Sequence, residues 1–163
     1  NQWLFIKRNK MSLINDRLKQ LNIVLPPAPA PAANYVPYVK SNKLIFVSGQ
    51  IPMLNGELVT GKIGKNIEIE DAKTAARLCG LAIVSQLNEA TDLDLDKIKR
   101  IVKLGGFVNC IDEFTQQPEI INGASDLMVE IFGDKGKHSR FAVGTNSLPR
   151  NVVVEIEAVA EIH

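Results

Sequence analysis

Between Val152 and Ile162 the chain alternates without a break. Val154, Ile156, Ala158, Ala160 and Ile162 fall on one side of an extended backbone, and Val153, Glu155, Glu157, Val159 and Glu161 on the other. Successive side chains of a strand point to opposite faces of its sheet. This segment therefore demands a sheet with one apolar, covered face and a second face that tolerates carboxylates. The cover is legible too. From Glu68 to Ala90 the residues Ala72, Ala75, Ala76, Cys79, Ala82, Ile83 and Leu87 recur at helical spacing, and a face made mostly of alanine lets a helix lie close across a sheet.

A second helix is predicted from about Pro118 to Phe132, with Ile121, Ala124, Leu127, Met128 and Ile131 inward, ended by the glycine cap and turn Gly133-Asp134-Lys135-Gly136. Further strands are predicted at Lys43–Ser48, Ile98–Val108 and Phe141–Gly144, with a glycine-rich turn region between Gly56 and Gly64. The Gly105-Gly106 pair inside the longest strand predicts a bulge or bend in its middle. The order is strands, helix, strand, helix, two strands, and its economical packing is an α+β fold with two helices on one face of a mixed sheet. Upstream, residues 12–22 read as a short amphipathic helix with Ile14, Leu18 and Leu21 on one side, and Pro26-Pro27-Ala28-Pro29-Ala30-Pro31 as extended chain along the surface.

Met11 has the look of a start, so residues 1–10 are read as a tag or upstream extension and 11–163 as one domain. The four-residue apolar run in that opening segment is too short for a membrane span or a signal core, and the expectation is a cytoplasmic protein without a membrane partner. Nineteen basic against eighteen acidic side chains leave a net charge of +1, which argues against nucleic acid as the partner. Cys79 and Cys110 lie in no ligand spacing and read as buried thiols, and with only two histidines no metal site is expected.

Several segments match one family in order and spacing: Pro37-Tyr38, then Ile45-Phe46-Val47-Ser48-Gly49-Gln50-Ile51-Pro52, then Ser139-Arg140, then Leu148-Pro149 followed by Val154-Glu155-Ile156-Glu157-Ala158. Over roughly residues 30–162 the chain resembles the RidA/YjgF family of reactive-intermediate deaminases, also known by the older label L-PSP endoribonuclease. The resemblance implies a chorismate-mutase-like fold and a homotrimer with clefts at its subunit interfaces. It also implies hydrolysis of enamines and imines, such as 2-aminoacrylate, to 2-keto acids and ammonia, without a cofactor.

On that resemblance Arg140 and Glu155 are the catalytic pair. Arg140 would clamp the carboxylate of an imino acid and Glu155 would orient or activate the attacking water. Tyr38, Ser48 and Asn122 would line the substrate cleft. The chemistry suits these residue types: a guanidinium holds a carboxylate through two parallel hydrogen bonds, and one carboxylate suffices to move the proton of a water. Where the best-known members carry a cysteine two residues after the arginine, this chain has Ala142, and the stretch from Asp112 to Ser125 is longer than the common form. These departures point to a longer-chain subgroup. His138 reads as a surface side chain, with the cleft mouth as the alternative.

Two other readings compete. A trimeric binder of small carboxylates would use the same clamp without turnover. An endoribonuclease or translation inhibitor would draw on the basic cluster Lys97, Lys99, Arg100 and Lys103, which a solvated strand edge explains equally well.

Overall fold

The computed structural model describes residues 12–163, so the expectation for residues 1–10 concerns a segment outside the described residues. The elements run α1 (Leu13–Gln20), β1 (Tyr38–Ser41), β2 (Leu44–Gln50), a small hairpin of β3 (Met53–Leu54) and β4 (Glu57–Leu58), α2 (Ile69–Ala90), β5 (Ile98–Asn109), α3 (Gln117–Phe132), β6 (Ser139–Thr145) and β7 (Val154–Ile162). Five strands form one mixed sheet in the order β1-β2-β7-β5-β6, antiparallel except for the parallel pair β5–β6. The α+β class, with α2 and α3 on one face of a mixed sheet, is as expected.

The core lies between those helices and the sheet. Ala72, Ala75, Ala76, Cys79 and Ile83 of α2, with Ile121, Ala124, Leu127 and Met128 of α3, pack on Ile45, Val47, Leu104, Val108, Ile156 and Ala158. The alternation of β7 is observed as anticipated, with Val154, Ile156, Ala158 and Ala160 buried. Both cysteines are free and buried. Among the described residues the opposite face of the sheet carries no helix, and Val39 (51% exposed), Phe46 (44%), Phe107 (38%) and Val143 (42%) stand open on it.

Gly105 and Gly106 form no bulge. Both pair in regular register with β7 and β6, and the irregularities of β5 fall earlier, between Ile98 and Arg100 and between Ile101 and Lys103. What the two glycines supply is room. A methyl group on Gly105 would lie 2.6 Å from Phe141, and one on Gly106 would lie 2.6 Å from Ile121 of α3. The tip of the Phe141 ring thus sits over Gly105 on the open face, and the ring meets Phe107 edge-on, with ring centroids 5.3 Å apart.

The segment between α1 and β1 follows the surface, as its prolines require, and is bolted to α2. Ser85 Oγ donates to the Pro26 carbonyl (2.7 Å) and Gln86 Nε2 to the Pro29 carbonyl (2.7 Å). Helix α1 is held by the Asp96 carboxylate, which accepts from the amides of Leu13 (3.0 Å) and Ile14 (2.9 Å), charge placed where a helix N-terminus favours it.

At Gly123 α3 comes close to the backbone of α2, since an added methyl group would run into the Lys73 backbone carbonyl. Backbone cannot step aside as a side-chain tip can. Gly123→Ala is expected to destabilise the protein by about 1–3 kcal/mol, read as a lower urea midpoint at unchanged slope.

Candidate functional site

The parallel pairing of β6 with β5 decides where Arg140 points. Arg140 stands opposite Leu104, itself opposite Ala158, and both of those are core residues beneath the helices. The Arg140 side chain therefore lies on the helix-covered face, at the sheet's edge, and reaches α3. Its Nη1 donates to Asn122 Oδ1 (2.9 Å) and Ser125 Oγ (3.0 Å), and its Nη2 to the Pro118 carbonyl (3.2 Å). A guanidinium has five N–H donors. These three bonds use both protons of Nη1 and one of Nη2, and among the described residues nothing accepts from the remaining Nη2 proton or from Nε. Nε–H and one Nη2 proton are thus left as donors on a guanidinium held in place, a group that suits a carboxylate. The structure thus brings Asn122 to Arg140, and adds Ser125, which the sequence reading left out.

Glu155 is placed differently. It lies three residues from Ala158 on β7, opposite Phe107, and so faces the open side of the sheet. Three residues along the strands and two strands across separate its backbone from that of Arg140 by about 10 Å in each direction. Within one protomer the two residues do not meet.

Around Glu155 there is instead a cleft of about 390 Å³, walled by the segment Pro29–Ala33, Tyr35, Gly49, Ile51, Met53 and Arg150. Ser48 and Gly49 form a bulge between Val47 and Gln50 of β2, and Gly49 lets the carboxylate rest on bare backbone. Burial in this cleft raises the pKa of Glu155 above the usual carboxylate range, and the neighbouring charge of Glu157 raises it further.

Tyr38, opposite Val47, packs against the core at the sheet's edge, and the tyrosine lining the cleft is Tyr35. Ser48 Oγ donates to the Val36 carbonyl (2.7 Å), which fixes the chain leading into β1. Arg150 is the residue that sequence reasoning passed over. With Asn151 it adopts a left-handed backbone (φ 56° and 59°), a conformation costly for side chains other than glycine. The loop is held in place by Gly61 N–H donating to the Asn151 carbonyl (2.9 Å) and by Lys62 Nζ bonding the Asn146 carbonyl. Only the dipeptide Leu148-Pro149 hinted at a turn there.

The basic cluster has partners of its own. Lys97 pairs with Asp92 (3.8 Å) and Lys99 with Glu161 (3.3 Å), while Lys103 lies 5.2 Å over the Phe141 ring. Among the described residues no group of three or more His, Cys, Asp or Glu is placed to hold a metal, and no helix is long and apolar enough to cross a membrane.

A family model described as "YjgF/chorismate_mutase-like, putative endoribonuclease" matches residues 15–162. The chain belongs to the YjgF family. Among its relatives, protein TCP17 of Trypanosoma cruzi is 45% identical over 148 residues, covering 90% of this chain and 92% of that protein. The crystal structure of protein Atu1372 of Agrobacterium tumefaciens, a protein of unknown function, superposes with a TM-score of 0.85 at 46% identity, covering 92% of each chain. TdcF of Escherichia coli, solved with bound serine, is more distant. Its TM-score is 0.57 at 25% identity, over 83% of this chain and 94% of that one. Membership of the YjgF family, first read from the Ser-Gly-Gln-Ile-Pro and Leu-Pro…Val-Glu-Ile-Glu segments, is thereby established.

The contact between Gly49 and Glu155 generates a prediction. A methyl group at position 49 would come within 2.5 Å of Glu155 Oε1, the movable end of a side chain. Gly49→Ala is expected to leave the melting temperature within about 2 °C, on the size expected of small surface changes, while displacing the carboxylate. The pKa of Glu155, followed by carbon-13 NMR of the carboxyl group, should then move from its raised position.

Proposed function

We propose that this YjgF-family protein hydrolyses reactive enamines and imines, such as 2-aminoacrylate, to 2-keto acids and ammonia, at sites completed between subunits of a homotrimer. The single observation that carries the reading is the state of Arg140: three of its N–H groups are bonded to α3 and two, Nε–H among them, have no acceptor among the described residues. An arginine fixed in this way suits a small carboxylate ligand, and the serine bound to TdcF carries one. Glu155, desolvated and beside a second carboxylate, suits a base whose pKa has been brought toward neutrality.

The separation of the two residues supports the assembly. Arg140 lies on the edge strand β6, Glu155 faces the uncovered side of the sheet, and that side carries exposed Val39, Phe46, Phe107 and Val143. An apolar open face of this kind suits burial against other copies of the chain, and such packing would carry an Arg140 edge to the Glu155 cleft of a neighbour. The two buried free thiols suit a reducing, cytoplasmic setting.

The reaction needs only water and proton transfer. The 2-imino acid docks its carboxylate on the free Nε and Nη2 donors of Arg140. Glu155 accepts a proton from water as the oxygen bonds to the C=N carbon, and the C=N π pair becomes the lone pair of nitrogen. The proton passes to that nitrogen to give the carbinolamine; its hydroxyl proton is then transferred to the same nitrogen, the C–N bond breaks, ammonia leaves with the bonding pair, and the oxygen lone pair forms the carbonyl of the 2-keto acid. An enamine enters the same sequence after protonation at its β-carbon. Neither a redox partner nor a Lewis acid is required for the balance.

The test couples the protein to an amino-acid oxidase that generates imines from a panel of amino acids, with ammonia release and keto-acid formation followed. Acceleration by the wild type is expected. Arg140→Ala should lower kcat/KM about a hundredfold, as loss of a charged bidentate contact predicts. Glu155→Gln should keep 2-keto acid affinity and lower kcat by about a hundredfold or more. Binding of 2-keto acids without acceleration on any imine would replace the enzyme with a carboxylate-binding protein. Native mass spectrometry showing a monomer at assay concentration would overturn the composite site.

The pH dependence has a definite sign. Glu155 must be ionised to accept a proton, so kcat/KM should rise with pH through its raised pKa, above the ordinary glutamate value of about 4.3. Glu157→Gln removes a charge that raises that pKa, so the acid limb should move to lower pH. In stability the sign is opposite to that of a paired carboxylate. The folded protein holds the proton of Glu155 more tightly than the unfolded chain, so stability falls as pH rises through this window. Glu155→Gln should therefore raise Tm at pH 7, with the gain vanishing by about pH 3.5, below the ordinary glutamate pKa.

A further inference from the structure

We infer that Ser125 and His138 are positioning residues for Arg140, forming a directional hydrogen-bond relay that aims the guanidinium. The inference rests on the reading of Arg140 as the carboxylate clamp. His138 is not a free surface side chain: it is half-buried, with Nε2 2.8 Å from Ser125 Oγ and Nδ1 2.6 Å from the Gly136 carbonyl. With a neutral imidazole, these two contacts set the direction of the protons. A carbonyl only accepts, so Nδ1 carries the ring hydrogen, and in the neutral imidazole Nε2 is then the acceptor. Ser125 must donate to Nε2, which turns its lone pairs toward Arg140 and lets Oγ accept from Nη1 at 3.0 Å. The chain runs from Arg140 through Ser125 and His138 to the Gly136 carbonyl.

Each link has a local cause. Gly136 has no side chain because a methyl group there would strike the Met128 carbonyl, and this closeness seats the turn after α3 against the helix. The turn thereby sets its own carbonyl beside His138, two residues on. His138 sits immediately before β6, two residues ahead of Arg140, and both side chains reach α3. Asn122 and Ser125 are three apart on α3 and present neighbouring side chains to the same Nη1.

Removing the ring would leave a serine hydroxyl free to rotate and to point its proton at the guanidinium. A clamp aimed by neutral dipoles keeps its full positive charge for a ligand, whereas a carboxylate in the place of Ser125 would neutralise it. The relay acts on carboxylate binding, which is the same in the ground state and the transition state, so its loss should fall on KM rather than kcat.

The experiment uses the full chain and 2-oxobutanoate as the probe, with affinity measured by calorimetry beside the kinetics of imine hydrolysis. His138→Phe should weaken 2-oxobutanoate binding about tenfold, the effect of one hydrogen bond at roughly 1.4 kcal/mol, and raise KM to match. His138→Gln, whose amide oxygen replaces Nε2 as acceptor, should bind within about threefold of wild type. Ser125→Ala should match His138→Phe, and the double variant should be no weaker than either, because the relay breaks as a unit. Equal weakening by Phe and Gln, additive losses, or a loss confined to kcat would overturn the inference. Should His138→Phe fail to fold by circular dichroism, Ser125→Ala against His138→Gln decides it by the same criteria. Arg140→Ala separates the two layers. If it binds 2-oxobutanoate as wild type does, the clamp reading falls and this inference with it. If it loses binding while Ser125→Ala and His138→Phe do not, this inference alone falls.

Discussion

One face of the five-stranded sheet is covered by α2 and α3 while the other, among the described residues, carries no helix, and the rest of the molecule is arranged around that asymmetry. The cover is close because its contact surface is small: alanines line the sheet-facing side of α2, and Gly123 lets the two helices nearly touch backbone to backbone. A sheet so covered sorts every strand residue by parity. Leu104 and Ala158 go under the helices with Arg140, whereas Phe107 goes to the open side with Glu155. The arginine gains α3 as a rigid backing, and the glutamate gains a cleft at the margin of an apolar surface. Neither half resembles a finished site, and the separation is the physical reason for expecting subunit association.

Much of this was legible in the sequence wherever the signal was local. The alternation of β7 and the alanine periodicity of α2 are each written in a single segment, and both elements fall within a residue or two of where they were read. The Asn55-Gly56 pair is a strong hairpin signal, with φ of 52° and 81°, yet the β3–β4 hairpin was absorbed into a generic turn region. Strand β1 is short and exposed on most of its residues, and carries no period that a window can detect.

Gly105-Gly106 teaches a different lesson. Two glycines in a strand announce that something comes close, but whether a bulge, an aromatic ring or a helix side chain fills the gap depends on partners far away in sequence. The same limit applies to the site. Arg140 and Asn122 were joined through a family pattern, which already encodes a tertiary contact. His138 belongs to no such pattern, and its bond to Ser125 needs the turn after α3 to fold back, so a reading from the chain alone left it on the surface. The parity of Glu155 was visible in β7. The parity of Arg140 relative to it required the parallel register of β5 and β6, which periodicity does not supply.

The proline-rich segment has a consequence for how the Glu155 cleft meets a ligand. Its wall is fastened to α2 by Ser85 and Gln86, whereas its floor belongs to β2 and β7. Prolines have already surrendered most of their backbone freedom in the unfolded chain. A wall built from them and pinned to the longest helix loses little further entropy when a guest arrives, so more of the contact energy survives as affinity. The same fastening makes the cleft a poor induced-fit device. It selects by a standing shape, and guests that need it wider must work against α2 itself.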